Sequence, residues 1–155
     1  MSYHWLTGRY LILAVMLGSS LSSLFEIPVI NAAEYRVDPR IRRKTARDHL
    51  TAALMANASV TVMLLQGSDD RGRMQKMLTK AYGDYVRAIG ALEGLNPEAK
   101  FQDPMVDQAV SLLYQSKGTT MQAESAAKAG NSQEAMEFLA NAKLMTKKAE
   151  ALAGI

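Results

Sequence analysis

The side chains with the most chemical reach in this sequence are one histidine and a group of methionines. Thioethers are soft ligands that suit Cu(I), and imidazole serves copper or haem iron. His49, Met63, Met74 and Met77 therefore form the candidate set for a copper or b-type haem site. Met74-Gln-Lys-Met77 puts two sulfurs on one helix face, and Met63, Met121 and Met136 fall near the same predicted end of the fold. A packing reading stands beside the metal reading. Methionine is the common gap filler of helical cores. His49 falls at the predicted level of Tyr85, whose hydroxyl is within its reach for a hydrogen bond.

Composition narrows the chemistry further. The chain has 155 residues, no cysteine, two histidines and 6% aromatics. The missing cysteine excludes a thiol nucleophile, a Cys-ligated zinc or iron–sulfur site, and a covalently attached c-type haem. Acids such as Asp84 and Glu124 are predicted on or beyond the edges of their helix seams, without the paired spacing of a catalytic site. The expectation is a protein that is not an enzyme. Eighteen bases against fifteen acids give a formal charge of +3, and the excess gathers in a basic arm over 36–47 that holds Arg36, Arg40, Arg42, Arg43, Lys44 and Arg47. Only Tyr35 lies beside that arm for base stacking, so no nucleic-acid partner is expected, and the arm suits a membrane surface.

Residues 1–33 read as a delivery segment. Arg9 closes a short n-region without acids, Leu11 to Leu17 is apolar, and Pro28 and the small pair Ala32-Ala33 follow. That order describes a secretory signal peptide and a periplasmic or secreted product. The alternative is an uncleaved inner-membrane anchor, since 10–25 carries no charge.

The remaining 34–155 is punctuated by helix signals alone. Asp38-Pro39 and Asp103-Pro104 are N-caps followed by proline, and Ser68 and Asn131 are further start signals. Gly67, Gly94, Gly130 and Gly154 are stops. Four helices are predicted, near 39–66, 69–93, 104–129 and 132–153. Their heptad seams begin with Ala46-Leu50-Ala53-Asn57, Met74-Leu78-Ala81-Tyr85, Val106-Ala109-Leu113-Ser116 and Ala135-Phe138-Ala142-Met145. Two short connections and one longer link, GLNPEAKFQD, predict an all-α fold: an up-down-up-down antiparallel four-helix bundle of two helical hairpins. Asn57, inside the first seam, is expected to meet Thr120 at the same level.

In topology this architecture resembles the four-helix cytochromes that hold b-type haem between a histidine and a methionine, which would make His49 an axial ligand. The stretch AAKAGNSQEAMEFLANAKLM is similar to helical-hairpin repeats such as tetratricopeptides, and to small periplasmic metal-binding helical proteins whose corresponding histidines are missing here.

The functional expectation comes from 49–66, which holds no formal charge with His49 neutral. A helix apolar nearly all round is normally covered all round. Leu54, Met55, Val62 and Leu65 fall outside the predicted seam, so they are the candidate partner-binding residues, for another protein or a second copy of the chain.

Overall fold

The computed structural model describes residues 37–95 and 103–155. The predicted signal or anchor over 1–33 and most of the link between Gly94 and Asp103 lie outside the described residues. Among the described residues there are four helices and no strand: α1 (Pro39–Leu65), α2 (Arg71–Glu93), α3 (Pro104–Lys128) and α4 (Ser132–Ala153).

The helices start where side chains can satisfy their first N–H groups. Asp38 accepts from the Arg40 amide at 2.8 Å and Asp103 from the Met105 amide at 2.9 Å, each with a proline opening the helix. The predicted start of the second helix needs correction. Asp70, not Ser68, is the cap, accepting from the Arg73 amide at 2.9 Å, and Ser68 instead holds the Asp70 N–H at 3.3 Å. An acid also suits the positive end of the helix better than a hydroxyl does. Asn131 makes no cap bond to the backbone either; its side-chain amide donates to Glu134.

The turns after α1 and α3 share one construction. Ser68 N–H reaches Met63 O at 2.9 Å and Asn131 N–H reaches Ala126 O at 2.9 Å, with Gly67 at φ 65° and Gly130 at φ 83° between. These are Schellman stops, and the left-handed residue is glycine because a Cβ there is strained.

The predicted seams of the first three helices are buried throughout. On α4 the seam is offset from the prediction. Phe138, Met145 and Leu152 are half-buried, and Leu139, Thr146 and Ala153 take the core positions. Both choices satisfy a heptad, and bulk favoured the first. The core selects the second because Tyr85 fills the centre with a hydroxyl that needs a small polar neighbour, which Thr146 supplies at 3.0 Å.

That pair belongs to a buried polar layer drawn from all four helices. Asn57 donates to the Tyr85 hydroxyl at 3.4 Å and to Thr120 at 3.3 Å, as expected for Thr120. Thr146 Oγ1 lies 3.2 Å from Ser116 Oγ and donates to Ala142 O. The layer separates two apolar clusters. One joins Leu50, Ala53, Ala88, Leu92, Leu113 and Ala149; the other joins Val60, Leu64, Leu78, Ala123, Ala135 and Leu139. Alanine recurs at these contacts, so the helices approach closely and the core leaves little room for a large internal ligand.

By length and composition α1 is apolar enough to cross a membrane, and a third of its most apolar window (33%) is buried inside the structure.

Candidate functional site

Both outer seams of the fold open to some extent, the α2–α3 seam as a concavity of about 190 Å³ beside Tyr82 and Met121 and the α1–α4 seam more widely. Along α2 and α3, Lys117 lies over the rings of Tyr82 and Tyr114, and the Tyr114 hydroxyl donates to Glu93 at 3.0 Å. Along α1 and α4 the seam stays open as a groove of about 550 Å³. Leu54, Met55, Ala58 and Val62 form its α1 wall, and Met136, Leu139 and Ala140 its α4 wall. Lys143 and Lys147, both exposed, stand at one end, with Lys147 paired to Glu150.

The charge-free stretch of α1 thus places three of its four candidate residues together. Leu54 is half-buried, while Met55 and Val62 are 67% and 50% exposed. Leu65, 69% exposed, lies outside the groove. The groove also includes Met136, Leu139 and the two lysines, which reading α1 alone cannot reveal. Asn57 lines the same groove, and its Oδ1 is buried without a partner among the described residues. Turning the amide over would strand two N–H donors instead of one acceptor, so donating to Tyr85 and Thr120 is the less costly arrangement.

The candidate metal residues divide between two places. Met74 is buried in the second apolar cluster, and Met63, Met77 and Met136 pack against it as half-buried residues. Met121 is half exposed and does not join them. His49 is elsewhere. It does not pair with the Tyr85 hydroxyl as expected, because that hydroxyl is occupied by Asn57 and Thr146; His49 Nδ1 instead lies 3.1 Å from Asp84 Oδ1. Ten residues of α2 separate Asp84 from Met74, about 15 Å of helix rise. The structure therefore brings Met63, Met74 and Met77 into one neighbourhood and sets His49 apart.

Asp84 also corrects the reading of the acids. It is buried, 3% exposed, and takes a second contact from Arg87 Nη1 at 3.4 Å, while its Oδ2 has no partner among the described residues. No group of three or more His, Cys, Asp or Glu side chains suited to a metal occurs among the described residues. No protein family, curated protein or solved structure matches the chain in sequence or fold comparison.

Proposed function

We propose that the chain is an exported, non-enzymatic helical-bundle protein that acts as an interaction or accessory subunit in the periplasm or at the membrane surface. Its α1–α4 groove receives an amphipathic helix, from a protein partner or a second copy. The observation that carries this reading is the groove itself, which runs from Thr51 to Val62 on α1 and from Met136 to Lys147 on α4. At 1.5 Å per residue each wall is about 16 Å long, three turns, which suits a helix that anchors at i, i+3 or i+4, and i+7. Lys143, which lines the groove beside the Lys147–Glu150 pair, favours a guest with an acid on its flank.

The architecture in this proposal is the up-down-up-down antiparallel bundle. Two facts support it. Each apolar cluster joins opposite ends of successive helices, such as Leu50 with Leu92 and Leu64 with Met74. The α1–α2 and α3–α4 connections are short, 66–70 and 129–131. Export rests on the n-region, apolar run and small residues of 1–33. Retention of that segment, or insertion of α1, gives the anchored alternative.

Light-scattering mass of the full-length chain and capture from the cell envelope test the groove. Met55→Glu and Val62→Glu should abolish self-association or capture, and Leu144→Glu, at an exposed residue outside the groove, should not. A monomer whose capture is indifferent to both groove substitutions removes the reading.

The four methionines around the second apolar cluster favour a second reading, a Cu(I) site on Met63, Met74 and Met77. Cu(I) titration against a chromophoric chelator tests it, with uptake lost in Met74→Leu. An absorption spectrum of the chain purified without chelator tests haem b at His49. No uptake and no Soret band end both.

A further inference from the structure

A second concavity, independent of the groove, opens between the first turns of α1 and the last turns of α2. Arg42, Thr45, His49, Arg87 and Gly90 line about 390 Å³ there. Arg42, Thr45 and His49 follow one another at i, i+3 and i+7, one stripe of α1, and Arg87 and Gly90 share a face of α2. Two of these basic side chains, His49 and Arg87, meet one buried acid, Asp84, while Arg42 reaches instead toward Gly94. With Nδ1 engaged by that carboxylate, the free edge of the imidazole is Nε2, which has no partner among the described residues.

Arg42 is held in an unusual way. Its guanidinium lies across Gly94, the C-cap of α2, so closely that a Cβ built on Gly94 would overlap it. No acid among the described residues pairs with it. Asp38 is used as the α1 cap, and Glu93 accepts from Tyr114. The positive end of α1 and the negative end of α2 adjoin here and offset one another, so side-chain charge sets the sign of the pocket.

We infer that this pocket binds a phosphate group. The guanidinium forks of Arg42 and Arg87 and the Thr45 hydroxyl, joined by His49 Nε2–H when the imidazole carries both protons, offer more donors, from more directions, than a planar carboxylate can accept, and suit a tetrahedral oxyanion. The phosphate comes either from a free phosphate compound or from a lipid headgroup, and these sources are separable. The inference does not depend on the α1–α4 groove.

Inorganic phosphate, titrated into the full-length chain at low ionic strength, should shift the His49 imidazole resonances saturably. Arg42→Gln and Arg87→Gln should each weaken that binding about tenfold, the loss of one charge-assisted hydrogen bond. Gly94→Ala displaces the flexible end of Arg42 and should weaken binding without loss of helix by circular dichroism. Lys143→Gln, in the other groove, should leave it unchanged. Phosphatidylglycerol vesicles binding in an Arg42- and Arg87-dependent way, displaced by inorganic phosphate, assign the site to a headgroup. Saturable phosphate binding with no such vesicle dependence assigns it to a free phosphate compound. If neither phosphate nor vesicles give a response that depends on Arg42 and Arg87, the inference is overturned.

Discussion

The Tyr85 hydroxyl accepts from Asn57 and pairs with Thr146 in a region without solvent, and burial pushes its pKa above the ordinary 10.0, more than its hydrogen bonds pull it down. Tyr85→Phe keeps the ring and removes both bonds, leaving the Asn57 amide and Thr146 short of a partner. A loss of about 1–2 kcal/mol is expected, read as a lower denaturation midpoint with an unchanged m-value. The same shift makes stability fall in alkali. A folded pKa above the unfolded value means that the unfolded chain releases its proton first, so the contribution is intact below about pH 10 and lost as pH rises through the folded pKa. In a tyrosinate absorbance titration Tyr85 should ionise late, and the Tyr85→Phe chain should lose less stability over that window. Position 85 was readable in advance as a core residue, whereas its partner was not. Helix spacing alone cannot separate Asp84 from Tyr85 as the neighbour of His49, since adjacent residues differ only by which edge of the seam they face.

At the scale of helices and turns, the glycine stops after α1 and α3 are equivalent in bonding but not in surroundings. Gly67 has open space where a Cβ would project, whereas at Gly130 the Arg71 guanidinium lies 3.8 Å away. Arg71 also donates to Lys128 O at 3.3 Å, tying the start of α2 to the end of α3. Gly130→Ala should cost about 1–2 kcal/mol from the left-handed backbone alone, measurable as a lowered midpoint in urea. Such punctuation is local chemistry, which explains why the C-terminal ends of all four described helices are legible in the residues themselves. The offset seam of α4 was not, because Phe138 and Leu139 both fit a heptad and only the facing Tyr85 decides between them. The groove was half legible. A run without charge marks Leu54, Met55 and Val62, yet its other wall comes from α4, and only packing assigns it.

For the molecule as a whole, the polar layer has a dynamic consequence. Apolar contacts are continuous within each cluster, but across the layer they give way to hydrogen bonds among Asn57, Tyr85, Ser116, Thr120 and Thr146, with Asn57 Oδ1 unpaired among the described residues. Cooperative opening travels poorly through such a boundary, so the fold should behave as two stacked foldons with different opening free energies. Native-state amide exchange is expected to sort α1 into two classes that change at Asn57, with Leu50 and Ala53 in one and Val60 and Leu64 in the other. A single uniform class along α1 would contradict this. The groove, which runs past Asn57 from Thr51 to Val62, straddles both foldons. A guest helix seated there would splint the two halves across the polar layer, so occupancy should be legible at a distance, as slowed exchange in both halves at once.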